Sequence, residues 1–463
     1  MSPSEATVRL AAADEAHAFL SRHPQIEAVQ LVITDPNGIG RGKNIAREEL
    51  PALYATGRNV AGSILGLDAT GEDVDGTGLV WDVGDADQCC RAVADTLGIA
   101  SWLTRPTAQV LGTLYALDGR PAVADPRHAL AAVIERYVAR GLRPVVAVEL
   151  EFYLLERDTA GSLQPARGLR KQAGHRHIDA YGLGRLDDMA PLFDDFYRAA
   201  RALNLPVRTL MSEYSPGQFE ITLEHRDDAL RAVDEAILFK RVMRGVAARH
   251  GFVASFMAKP FADRAGSGMH LHASLVDGAG RNLFAAVEPE GTAPLRHAIG
   301  GLRETMADGI AVFAPHANSY RRFRAQSYAP IAPTWGINNR TVSFRVPAGP
   351  GPTRHIEHRV CGADANPYLA VAALLAAVHH GVKHRLDPGA PVEGNGYAKA
   401  AEMGVKLPDN WFKALELFEG SARMKEYFGA DFHRVFVAVK RAEQGRFFSR
   451  VTQLDYDWYL RNS

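Results

Sequence analysis

The chain has 463 residues, with 53 Lys+Arg against 53 Asp+Glu. A formal net charge of zero argues against a basic nucleic-acid binder or an acidic solvating tail. A composition of 47% apolar and 23% charged residues excludes a disordered or fibrous chain.

In chain order, residues 7–22 are expected to form one amphipathic helix. AVQLVITD (28–35) follows as a strand, then a Pro36-Asn37-Gly38 turn and the basic return GRGKNI. That return is not a phosphate loop: Gly38 is one place too close to Gly42 for G-x-x-x-x-G-K-[ST], and Asn44 stands where Ser or Thr belongs. The short apolar runs GLVWDV and AQVLGTLY complete a small β-rich N-terminal domain, 1–120, closed by the Pro- and Asp-rich stretch 116–127. A second domain, 121–463, opens with a helix capped by Asp125, with Pro126 at its first position and Gly141 at its end. Further helices are expected at 189–203, 226–249, 363–384 and 407–443, with short strands between them. Cys89, Cys90 and Cys361 are too few for a disulfide framework and read as free thiols. The N-terminus lacks a basic n-region, and the longest apolar run, 368–378, is short of the roughly 20 residues of a membrane span. A cytoplasmic chain with no membrane or nucleic-acid partner is expected.

The second domain's strands point to chemistry. In a strand, residues i and i+2 share a face. RPVVAVELEFYLLE places Glu149 and Glu151 side by side on a face otherwise built of Val145, Ala147, Tyr153 and Leu155, opposite a wholly apolar face. Ionised carboxylates in such a place cost several kcal/mol each unless positive charge is near. GQFEITL pairs Gln218, Glu220 and Thr222 on one face. GMHLHASLV does the same with His270, His272 and Ser274, RTVSFRVP with Thr341, Ser343 and Arg345, and HIEHRV with His355, Glu357 and Arg359. None of the five segments contains Lys, the usual residue of a solvated sheet. A charged interior funnel follows.

Glu149, Glu151, Glu213, Glu220, Glu357 and His270 offer five carboxylates and one imidazole, a ligand set for two Mg²⁺ or Mn²⁺ ions rather than zinc. Arg322, Arg340, Arg345 and Arg359 suit bidentate recognition of carboxylate and phosphate. Together these groups point to phosphoryl transfer from a nucleotide.

The order of VELEF, SEYSPGQFE, KPFADRAGSGMHLHASL, NSYRR, NNRTVSFRVP and HIEHRVCGADANPYLAVAALLAA resembles the glutamine synthetase family. The resemblance implies an α+β chain: a small β-grasp N-terminal domain and a large catalytic domain, whose antiparallel curved sheet, like that of guanidino kinases, is flanked by helices. It implies that Glu151, Glu213 and Glu220 hold one metal, and that Glu149, His270 and Glu357 hold the other. Gly266, Arg322 and Arg359 match glutamate-binding positions, and Arg340 matches the arginine on the transferring phosphoryl group. His272, Ser274 and Arg345 match ATP contacts. The implied reaction phosphorylates the γ-carboxylate of glutamate with ATP and lets ammonia or an amine displace phosphate. The implied assembly is two stacked hexameric rings, with each site completed by a neighbour's N-terminal domain.

The chain departs from ammonia-using members where ammonium is held. Ala61 stands in place of an Asp, and Tyr328 in place of a flap Glu; Ala265 and Pro352 replace an Asn and a Lys. Ammonium has no apolar handle, whereas a larger amine has a carbon skeleton. The sequence therefore predicts a γ-glutamyl-amine ligase, similar to the γ-glutamylputrescine branch of polyamine metabolism, with an amine pocket at Ala61, Ser63, Asp68 and Tyr328. Asp68, Glu72 and Asp73 either face a distal ammonium or form a solvated turn. Alkyl and aromatic monoamines stay open, as do an ammonia-dependent glutamine synthetase and an inactive scaffold. Filled metal positions and Arg340 disfavour the scaffold.

Overall fold

A computed structural model describes residues 5–168, 178 and 180–463. Two sheets organise it. The first contains β1 (Ala28–Thr34), β2 (Gly40–Ala46), β3 (Arg58–Ala61), β4 (Asp87–Ala92), β5 (Gly98–Ile99) and β6 (Thr107–Tyr115). Its order is β2-β1-β6-β4-β3, with β5 on β6, and β1 runs parallel to β6. The basic return is thus strand β2, paired antiparallel with β1. The turn between them is closed by Asp35 Oδ1, which accepts from the amides of Asn37 and Ile39 at 2.9 Å each. It docks on the second half of the chain: Asn366 Nδ2 donates to Asp35 O at 3.0 Å, and Asn37 Nδ2 to Glu443 Oε1 at 2.8 Å.

Three expected elements differ. Residues 7–22 form two helices, Glu5–Val8 and Ala13–Arg22. Arg9 takes φ +54°, and Leu10 bridges to Val93, so the chain between the helices is spent on the sheet. Val8 joins the large core, whereas Ala16 and Phe19 join the small one. The long helix at 407–443 is three: Trp411–Gly420, Ala422–Phe428 and Ala430–Phe448. Ser421 stays extended and caps Met424 N at 3.1 Å, and Gly429 takes φ +83°. Neither break changes the apolar periodicity, which is why the pattern hides both. The run GLVWDV is not a strand either; Trp81–Val83 is a 3₁₀ turn with Trp81 exposed.

The second sheet contains β7 (Leu142–Arg157), β8 (Leu163–Pro165), β9 (Val207–Ser212), β10 (Gln218–Leu223), β11 (Val253–Ser255), β12 (Met269–Asp277), β13 (Trp335–Ile337), β14 (Phe344–Val346) and β15 (Ile356–His358). The order is β13-β14-β15-β12-β7-β10-β9, with β8 and β11 on β7. Every ladder is antiparallel except β13 with β14, a local correction to the all-antiparallel expectation. Helices flank one face. Val148, Leu150, Phe152, Leu154, Phe219, Ile221, Met269 and Leu271 point into one core with Leu238, Phe239 and Val242 of the helix Ala229–Arg249. That burial pins the register, because a slip of one residue would turn every carboxylate of the other face inward. Among the described residues no helix is long and apolar enough to cross a membrane.

Candidate active site

Cross-strand register gathers the polar face. Glu220 lies opposite Glu151, and Thr222 opposite Glu149, on the β10–β7 ladder. His270 lies opposite Glu149 on β12–β7, and His272 opposite Glu357 on β12–β15. Arg345 lies opposite Glu357 on β14–β15. Directly opposed residues share a face with Cβ atoms about 4.5–5.5 Å apart. Four ladders therefore convert segments spread over 200 residues of chain into one row of carboxylates and imidazoles.

A cavity of about 550 Å³ opens over this row. Glu149, Glu151, Glu213, Glu220 and His270 line it, with Gly266, Arg322, Tyr328, Arg340 and Arg359. Glu357 sits behind the wall, 1% exposed, its two oxygens accepting from Arg345 Nη1 at 2.7 Å and from Arg359 Nη1. His272, Ser274 and Arg345 lie farther along β12 and β14, outside the cavity but joined to it: His272 Nε2 is 3.5 Å from Glu149 Oε2. The sequence-named residues thus come together with three exceptions in position. Ala61, Ser63 and Asp68 do not line this cavity of their own chain.

On this carboxylate row two groups have the spacing to hold a cation, each with ligand atoms within 4.8 Å of one another: Glu149, His270 and Glu357, and Glu151, Glu220 and His270. The first is the trio expected from the sequence. In the second, His270 accompanies Glu151 and Glu220; Glu213, the remaining ligand implied by the sequence, lines the same cavity and accepts from Tyr214 N at 2.8 Å. Asp68 is a correction. Its carboxylate is buried; Oδ1 accepts from the amides of Thr70 and Glu72, and Oδ2 pairs with Arg446 of the last long helix. It braces a turn and is not a solvated or amine-facing group.

The electrostatics divide the carboxylates into two classes. Burial would raise Glu357, yet Arg359, His270 and His272 hold it down to about 2. Burial would likewise raise Glu149, but hydrogen bonding and charge from His270 and His272 keep it well below the usual range. His270 Nδ1 and Glu149 Oε1 are 2.6 Å apart. No such compensation reaches Glu220, pushed up to about 11 by burial and the charges of Glu149 and Glu151. Glu151 is pushed up to about 8 by burial and the charge of Glu213, despite Arg322 nearby and a hydrogen bond from Gly268 N at 2.7 Å. Glu213 is raised as well, chiefly by burial. The protein's own cations satisfy one end of the row and leave the other short of positive charge. That deficit fits hard divalent ions on oxygen ligands.

The Gly-Ser-Gly approach has a steric reason. A Cβ on Gly266 would lie 2.7 Å from Ala258 O and from Arg322 Cγ. One on Gly268 would lie 2.6 Å from Arg322 Nη2 and 3.0 Å from His270 Nε2. The loop has to pass against the buried Arg322, whose Nη1 donates to Val360 O at 2.8 Å.

Sequence reasoning missed several lining residues. Gln218 donates through Nε2 to Gly266 O at 3.0 Å and reaches Glu151 at 3.4 Å; its place on Glu220's face was the available signal. Lys259, Asp263 and Arg264 line the cavity from the loop before Gly266, and Asn318 clamps that loop by exchanging 2.9 Å hydrogen bonds with the Lys259 backbone. Tyr181 and Tyr214 join Tyr328 as exposed aromatic rings on the same cavity, a wall that no local pattern announces.

Comparison with known proteins matches residues 123–459 to the family described as "Glutamine synthetase, catalytic domain". The chain is 36% identical over 451 residues to γ-glutamylputrescine synthetase PuuA of Escherichia coli (strain K12), covering 97% of this chain and 95% of that one. It is 32% identical over 431 residues to glutamate–isopropylamine ligase of a Pseudomonas species, covering 91% and 92%. Among solved structures, a GmaS/ADP complex superposes with a TM-score of 0.83 at 28% identity, covering 96% of this chain and 99% of that one.

Proposed function

The chain belongs to the glutamine synthetase family, and on that premise we propose an ATP-dependent ligase that joins the γ-carboxylate of L-glutamate to a primary amine larger than ammonia. The reaction passes through γ-glutamyl phosphate and releases ADP and phosphate. The observation that carries this reading is the cavity's division: an acidic, charge-deficient wall on one side, and three tyrosines where ammonium would need carboxylates.

In this reading Glu151, Glu213 and Glu220, with Glu149, His270 and Glu357, hold two divalent ions, Mg²⁺ or Mn²⁺. Bound there, the ions supply the positive charge that two reacting anions, the glutamate γ-carboxylate and the ATP γ-phosphate, lack. Arg322, Arg359 and Gly266 bind glutamate: two buried guanidiniums fix its carboxylates, and the side-chain-free backbone leaves room beside them. Arg340, exposed on the cavity rim in the turn before β14, neutralises the phosphoryl group in transit. His272, Ser274 and Arg345 contact ATP. The enclosed wall keeps water from the acyl phosphate.

Tyr181, Tyr214 and Tyr328 offer ring faces to the incoming amine, which suits an alkylammonium such as a polyamine through carbon contacts and cation–π attraction. Ala61 and Ser63 are assigned to a neighbouring subunit's amine pocket, since they lie away from their own. The assembly proposed is two stacked hexameric rings. Exposed apolar side chains near the C-terminus, among them Phe448, Val451, Trp458 and Leu460, call for cover of that kind. The setting is cytoplasmic.

A panel of ammonia, putrescine, spermidine, ethanolamine, isopropylamine and aniline, with ADP release as readout, tests the amine assignment. At least one carbon-bearing amine should exceed ammonia in kcat/KM by about tenfold or more, the worth of one or two buried methylenes. Ammonia as the best substrate would overturn it in favour of glutamine synthetase, and no turnover with any amine in favour of an inactive relative.

Metal binding carries its own pH signature. An unfolded Glu loses its proton near 4.5, whereas folded Glu151 keeps its proton up to about 8. The metal-free folded state thus holds more protons across that window, and its stability falls as pH rises through it. Metal ions bind the deprotonated form and cancel the loss. The rise in Tm on exchanging EDTA for Mn²⁺ should be larger at about pH 8 than at about pH 6. Equal shifts at both would remove Glu151 from the metal site.

A further inference from the structure

Beyond the carboxylate row stand three imidazoles, two of which the ligase chemistry leaves unused. His225 follows β10, His272 lies on β12, and His355 precedes β15. Their ring centroids are 5.2 Å apart (His225–His355 and His272–His355) and 5.6 Å apart (His225–His272). One nitrogen from each lies within 4.8 Å of the others.

The hydrogen-bond partners set which nitrogens are available. His355 Nδ1 lies 2.8 Å from Thr353 O. A carbonyl only accepts, so Nδ1 carries the hydrogen and Nε2 presents a lone pair. A histidine that donates one ring N–H to a backbone carbonyl and turns the other nitrogen to a metal is the usual arrangement of an imidazole ligand. His355 Nε2 points at His272 Nδ1, 3.1 Å away. His272's other nitrogen faces an acceptor as well, Glu149 Oε2 at 3.5 Å. Two nitrogens at 3.1 Å have the bite of neighbouring ligands on a tetrahedral ion, where bonds of about 2.0–2.1 Å put ligand atoms about 3.3 Å apart. His225 is exposed and opens the cluster to solvent.

We propose that His225, His272 and His355 bind one zinc-class ion (Zn²⁺, Co²⁺ or Ni²⁺), with water as the fourth ligand, and that this ion opposes nucleotide binding. Three imidazoles select such ions over Mg²⁺, which prefers oxygen. The opposition to nucleotide rests on the proposed function, which gives His272 to ATP; the ion site itself does not.

The test titrates Co²⁺, then Zn²⁺, into the full chain in saturating Mg²⁺, which competes for the carboxylate sites. Visible absorption of four-coordinate Co²⁺ reports occupancy. One ion per chain is expected, with affinity at least about 100-fold weaker in His225→Ala and His355→Ala, since even outer partners of metal ligands are worth 10–100-fold. Because His225 is exposed, its variant should fold even if the other does not. Wild-type Co²⁺ affinity in His225→Ala would overturn the site and return the ion to the carboxylates. ADP should weaken Co²⁺ binding and Zn²⁺ should raise the KM for ATP; Co²⁺ affinity unmoved by ADP would overturn the antagonism. A chain inactive with every amine would break the ligase reading yet leave the Co²⁺ titration readable.

Discussion

Glu220→Gln should leave the metal-free chain as stable as the wild type while removing nearly all turnover. Glu220 is pushed up to about 11, so at neutral pH the metal-free protein already holds it as a neutral acid, which an amide imitates closely in size and charge. Nothing is lost from the fold. What is lost is the anion that a divalent ion would draw out, together with the stabilisation that ion brings. We expect an unchanged Tm in EDTA, a much reduced Mn²⁺ shift, and kcat/KM lower by about 10³-fold, or about 4 kcal/mol. Glu357→Gln should behave oppositely. It removes an ionised group gripped by Arg345 and Arg359, both buried, and leaves their charges uncompensated. The EDTA form should lose about 3–5 kcal/mol. Calorimetry of both variants with and without Mn²⁺ checks the contrast; an apo Glu220→Gln chain as unstable as apo Glu357→Gln would refute the division of the carboxylate row.

Arg340→Ala should lower kcat by about 10³-fold or more, the range found when an arginine is removed from a transferring phosphoryl group. Its neighbours explain the choice. Arg345 and Arg359 are tied to Glu357, and Arg322 donates to backbone carbonyls. Among the described residues Arg340 makes no salt bridge, although it lines the cavity beside Arg322 and Arg359. A guanidinium left uncommitted at the rim is available to charge that develops only during reaction. The Mn²⁺ thermal shift should survive the substitution and the KM for glutamate should change little. A lost metal shift, or an unchanged kcat, would contradict this role.

Much of the site was legible because its signal is local. Glu149 with Glu151, and His270 with His272, announce themselves by period-two spacing within single strands. The ordered motifs of the family added Glu213, Gly266 and the arginines. The helix cap at Asp125 was equally local, and Asp125 Oδ1 does accept from Arg127 N at 2.8 Å. Asp68 shows where locality fails. Its acidic neighbours suggested a site or a solvated loop, but its partner is Arg446, 378 residues away.

The sequence by itself determined the family, the two-sheet α+β plan, and the kinds of group on the polar face, because strand periodicity and motif order are written along the chain. Only the tertiary structure decided who meets whom. Ladder register set Glu220 beside Glu151 and His270 beside Glu149, and gave His270 to two ligand groups at once. The closing turns broke the helices at Arg9, Ser421 and Gly429. Three tyrosines became one wall, and His225 and His355 closed on His272. These pairings depend on loops and on a shared apolar core that fixes each strand's slide against the next, and no window of neighbouring residues contains that information.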